Sequence, residues 1–164
     1  MVYIKVVVLT VILGLLAGGR LLFELPTGPE YMLCFTIAYA FVDKERTRAV
    51  IMSAVIAIIS SALTDRYLLF CVIEYGSTAC FISEVFKKKT KADIVLCMLI
   101  TFVVTVIGES LYHQLFIVNK MSISNFMSVI AVESIANIIA SVVIYIIIFK
   151  IFNPRKRRFR ISVE

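Results

Sequence analysis

Three glutamates stand inside apolar runs of this chain: Glu74, Glu109 and Glu133. An ionisable group within a membrane-spanning helix costs several kcal/mol unless it faces the bundle interior or a cavity, so each is a functional candidate. With the apolar runs taken as helices rising 1.5 Å per residue, all three fall roughly 10–14 Å below the same membrane surface. Polar neighbours recur at helical spacing. Thr101, Thr105, Glu109 and His113 repeat one turn apart, Glu133, Asn137 and Ser141 do the same, and Glu74 adjoins Tyr75 with Thr78 one turn on. A pocket lined by Glu74, Tyr75, Glu109, His113, Glu133 and Asn137 offers carboxylates, an imidazole, an amide and a phenol. It suits a small substrate carrying positive charge or several hydrogen-bond donors. Two other uses of the same groups stay open: pairing between helices, and a proton relay. His113, one turn from Glu109, could also be a simple ion-pair partner. No H-x-x-x-H or similar spacing is present, so neither a metal nor another cofactor is expected, and no catalytic residue.

The elements that must position these groups follow from composition. The chain has 164 residues, 61% hydrophobic and 17% charged, with a mean hydropathy of +0.99. A soluble domain of that size cannot hide so much apolar surface, which excludes a soluble enzyme, a disordered tail and a coiled coil. Six segments are long or apolar enough to be read as spans: residues 3–23, 30–42, 48–64, 67–86, 94–117 and 124–152. The second is the shortest, at the edge of the spanning range. The reading is an all-α polytopic membrane protein, with a compact six-helix transmembrane domain over 1–152 and a basic cytoplasmic tail over 153–164. The first segment has no small-x-small cleavage site followed by a soluble domain, so it reads as a span and not as a cleaved signal.

Charge placement sets the orientation. With the N-terminus inside, one side receives Lys5, the Lys44–Arg48 group, the Lys87–Lys91 group and the run from Lys150 to Arg160. The other keeps Arg20, Arg66 and Lys120. The positive-inside rule then places both termini in the cytoplasm of a cell membrane. The net charge of +6 is thereby explained by topology, and nucleic acid is not an expected partner. Cys34, Cys71, Cys80 and Cys97 lie in apolar segments without ligand spacing and read as small buried hydrophobes. The chain has no G-x-x-x-x-G-K-[ST], so any uphill transport must draw on a partner or an ion gradient. Gly14, Ala17 and Gly18 on the first segment form a small-residue face that would let another helix approach closely, and the third segment is equally small-faced through Ser53, Ala57 and Ser60.

The run Val72-Ile73-Glu74-Tyr75 followed by Phe86-Lys87-Lys88-Lys89 resembles the fourth helix of the substrate-binding (S) subunits of energy-coupling factor (ECF) vitamin transporters. Thr101-Phe102-Val103-Val104 leading to Tyr112-His113 is similar to their fifth helix, and Ile135-Ala136-Asn137 to their sixth. The resemblance implies ligand contacts at Glu74, Tyr75, His113 and Asn137, and a coupling subunit meeting Gly14, Ala17 and Gly18. It further implies uptake of a vitamin-like micronutrient energised by two partner ATPases, with no enzymatic activity in this chain. Thiamine-binding members stack their ligand on tryptophans, and this chain has none. A second family is also similar: the rod-shape-determining membrane protein D family, through Pro29-Glu30 at the second span, Glu109 in the fifth and Asn137 in the sixth. That resemblance implies a scaffold of the cell-wall elongation machinery, which binds other membrane proteins. Members carry an aspartate in the third helix, where this chain has Ser60 or Ser61.

Overall fold

In hydrocarbon every backbone N–H and C=O must be satisfied within its own segment, and long apolar runs therefore become helices. The computed structural model describes residues 6, 8–16, 30–43, 45–64, 66–86, 92–116 and 123–152, and every regular element among them is helical. We number these α1 (residues 8–16), α2 (Tyr31–Asp43), α3 (Arg46–Thr64), α4 (Leu68–Val85), α5 (Asp93–Phe116) and α6 (Ile123–Phe152). The limits of α2 to α6 fall close to those read from the apolar runs. Four of them, α3 to α6, are long and apolar enough to cross a membrane, which makes the chain a multi-pass membrane protein by length and composition. The tail beyond residue 152, Ala17, Gly18 and residues 19–29 lie outside the described residues.

A helix too short to cross the membrane is the centre of the bundle. α2 has 13 residues, about 20 Å at 1.5 Å per residue, well short of a hydrocarbon layer of about 30 Å. Its sequence is apolar on all sides, and a helix of that kind must be covered on all sides. Every residue from Met32 to Val42 is buried, and α3, α4, α5 and α6 all pack against it. Phe35, Phe41, Ile56, Ile82 and Ile148 fill the space between them. The outer faces carry the reverse pattern: Leu15, Leu69, Ile73, Leu115 and Ile139 are all more than half exposed, as a surface solvated by lipid allows.

The remaining contacts are uneven. α4 rests mainly on α3 and α5 mainly on α6, whereas α4 and α5 touch little. Where they do meet, aromatic rings join them. Tyr67 stacks on Phe116 at 4.2 Å, and Phe70 meets Tyr112 and Phe116 edge-on at 5.4 and 5.8 Å. Gly14 of α1 is turned into the bundle: a Cβ there would lie 3.1 Å from Met32 and 3.2 Å from Leu63. The face expected to meet a coupling subunit is, at this position, already covered by the chain's own helices.

Most buried hydroxyls are satisfied locally. Thr10, Thr36, Thr78, Ser83 and Thr101, and the half-buried Thr64, each donate to the carbonyl four residues back. They need no ligand to explain them. Cys34, Cys71 and Cys97 are buried as free thiols, as expected, and Cys80 is partly buried.

Candidate functional site

Because α2 starts inside the bundle, its first backbone N–H groups have no water to meet them. Asn137 of α6 supplies a partner: its side-chain oxygen accepts from the backbone N–H of Glu30, which immediately precedes α2. The amide nitrogen of Asn137 donates to Thr105 Oγ1 on α5 at 3.0 Å, and its backbone carbonyl accepts from Cys34 Sγ at 3.3 Å. One side chain thus ties together α2, α5 and α6. The stripe expected on α5 is real over Thr101, Thr105 and Glu109, all of which are buried.

Above this junction stands an arginine that sequence reasoning had assigned only to topology. Arg66 lies in the short turn between α3 and α4, its carbonyl held by Ser61 Oγ at 2.7 Å. Its guanidinium reaches back into the bundle. Nη1 donates to Glu30 Oε1 at 2.8 Å, Nη2 donates to Glu109 Oε1, and Nη1 lies 4.0 Å from Glu74 Oε2. The ring of Tyr112 covers it at 4.9 Å from its centroid, a geometry in which a desolvated cation is stabilised by the ring face. Tyr75, fully buried, donates its phenol hydrogen to Glu30 Oε1 at 2.8 Å and lies 3.0 Å from Ser60 Oγ. The four charged side chains are between 8% and 16% exposed. Burial works against the charge on Arg66, but the carboxylates of Glu30 and Glu109 outweigh it and hold its proton more firmly than on a free arginine.

Of the residues expected to form a site, Glu74, Tyr75, Glu109 and Asn137 are gathered around Arg66 and Glu30. Of the other two, His113 is turned away from them. His113 packs its ring edge-on against Phe126 of α6, with 5.0 Å between ring centroids. Glu133 is half-buried on α6, and the described ion pairs of Arg66 run to Glu30, Glu74 and Glu109. Sequence reasoning missed Arg66 and Glu30 as members of the centre. One signal could have found them. Buried carboxylates need a counter-charge, and Arg66 is the basic residue in the tightest turn on their side of the membrane.

Glu74 differs from the other two carboxylates. Its Oε2 is buried and accepts no hydrogen bond. Its chain passes directly over Gly108 of α5, where an added Cβ would collide with Oε1 and lie 3.0 Å from Cδ. Only a residue without a Cβ leaves room for that carboxyl between the helices. Beside it, α4 and α5 diverge and leave two adjoining cavities of about 440 and 480 Å³, which share Ser77, Thr78 and Val104 in their walls. Glu74 belongs to the wall of the first, and the rest of both is mostly apolar. No group of three or more potential metal ligands occurs among the described residues. No protein family, curated protein or solved structure matches the chain.

Proposed function

We propose that this chain is a membrane-embedded scaffold that binds other membrane proteins and has no enzymatic activity of its own. It is of the kind implied by its likeness to the rod-shape-determining membrane protein D family of the cell-wall elongation machinery. In this reading it spans the cell membrane six times with both termini cytoplasmic. One observation carries the proposal: the place a cationic ligand would take among the carboxylates is filled by the chain's own Arg66, bonded to Glu30 and Glu109. A buried ion pair of this kind, with Tyr75 donating to the Glu30 carboxylate and Asn137 holding the Glu30 backbone N–H, is a device for fixing helix positions. What remains for partners is the outer surface and the furrow between α4 and α5.

A second reading is favoured by a specific observation, the unbonded oxygen of Glu74 beside a 440 Å³ cavity. There the chain is the binding subunit of an ECF-type importer, with a small cationic micronutrient on Glu74, a transmembrane coupling subunit and two ATPases as partners. Native mass spectrometry of the detergent-purified protein separates the two. The scaffold reading expects a spectrum free of any retained small molecule, unchanged after incubation with a panel of vitamins and polyamines. A tightly held mass that disappears in Glu74→Gln would overturn it in favour of import.

A further inference from the structure

Resting on the scaffold reading, we infer that the furrow between α4 and α5 seats a transmembrane helix of a partner protein that carries a lysine or arginine at the level of Glu74. The furrow runs from Phe70 to Phe86 along α4 and from Leu99 to Leu115 along α5, about 24 Å on each at 1.5 Å per residue. That is most of the hydrocarbon thickness and the length a helix needs. Small residues line its middle: Gly108, Ser77 and Thr78. Such residues let two backbones approach closely, and in lipid close approach is what drives helices together.

Charge decides the partner's chemistry. Among the described residues the guanidinium of Arg66 is paired with Glu30, Glu74 and Glu109, and it bonds Glu30 and Glu109 directly, with Glu74 the most distant at 4.0 Å. Glu74, 8% exposed and in the furrow wall, keeps Oε2 without a hydrogen bond. A carboxylate left so in hydrocarbon is costly, and a second cation approaching through the furrow relieves it. Glu74 lies six residues into α4 from Leu68, about 9 Å deep. A lipid headgroup amine stays at the interface, whereas a basic residue placed within a membrane helix is carried to that depth by its position and is held there by pairing with a carboxylate.

The test reconstitutes the full chain in phosphatidylcholine–phosphatidylglycerol liposomes with a fluorescent leucine–alanine transmembrane peptide of about 22 residues. One version carries a single lysine a third of the way from its end, and the other has leucine there. Energy transfer is expected to show the lysine peptide pairing about tenfold more tightly, an advantage abolished by Glu74→Gln. Ser77→Phe, which leaves Glu74 in place and fills the furrow, is expected to remove pairing of the lysine peptide. Equal pairing of the two peptides overturns the inference, as does a lysine advantage that survives either variant. In cells, a photocrosslinker at Ile107 is expected to capture a helix that mass spectrometry identifies and whose sequence holds a basic residue at that depth. Capture of a partner helix without one overturns the inference and leaves the scaffold reading standing. Capture of a second copy of this chain overturns it too. No captured partner together with a co-purified small molecule overturns both.

Discussion

The centre around Arg66 and the furrow between α4 and α5 use the same kinds of residue to opposite ends. In the centre, Glu30 and Glu109 each meet the guanidinium, Tyr75 bonds Glu30, and Asn137 ties three helices. In the furrow, Glu74 reaches toward the same arginine at 4.0 Å and keeps an oxygen unbonded. Removing a charge's partner in a low-dielectric interior is far costlier than never having built the pair. The closed centre therefore fixes how the helices sit, and Glu74, whose buried Oε2 accepts no hydrogen bond, is the carboxylate that we propose a partner meets. A polar residue in a membrane helix is thus not a ligand site by type alone. Its role depends on whether the chain itself satisfies it.

The largest effect is expected from the keystone of the closed centre. Arg66→Met removes the guanidinium paired with Glu30, Glu74 and Glu109 and is expected to destabilise the protein by about 3–5 kcal/mol, measured as unfolding in mixed micelles. Arg66→Lys is expected to recover only part of that, because an ammonium cannot fork to Glu30 and Glu109 as a guanidinium does. Next is Asn137→Ala, which orphans the Glu30 N–H and removes the amide donated to Thr105. A loss of about 1–3 kcal/mol is expected, visible as faster hydrogen exchange at the start of α2.

Gly108→Ala probes the boundary between the two regions. Its Cβ must push Glu74 aside, at a cost of about 1–3 kcal/mol for an overpacked site. The double variant Gly108→Ala with Glu74→Ala is expected to be less destabilised than the sum of the singles, since the collision is gone. The smallest effect is expected from Glu74→Gln. With Oε2 unbonded in the folded chain, stability is expected to change by less than about 1 kcal/mol. A thermal shift as large as that of Arg66→Met would show that Glu74 belongs to the closed centre after all.

Much of this was legible before the structure. The apolar runs gave α3 to α6 nearly to their ends, because a membrane helix must be apolar along its whole length. Glu74, Tyr75, Glu109 and Asn137 stood out because polar groups inside such runs are conspicuous. Glu30 and Arg66 did not, and the reason is positional. Both lie just outside helix starts, where charged residues are ordinarily assigned to water, and only the short α2 and the tight α3–α4 turn carry them into the interior. Periodicity also extended the α5 stripe one step too far. His113 follows Glu109 by one turn, yet it packs on Phe126, because near the end of α5 the neighbour is α6 and not the centre of the bundle.

The claim on which the account turns is that Arg66 is the counter-ion of the buried carboxylates. A double-mutant cycle of Arg66→Met and Glu109→Gln, read as unfolding free energy in mixed micelles, tests it most directly. The account predicts that the double variant is more stable than the two single effects would sum to, with a coupling of at least about 1.5 kcal/mol. Effects that add to within about 0.5 kcal/mol would contradict it. The carboxylates would then be free for a ligand, as the import reading requires.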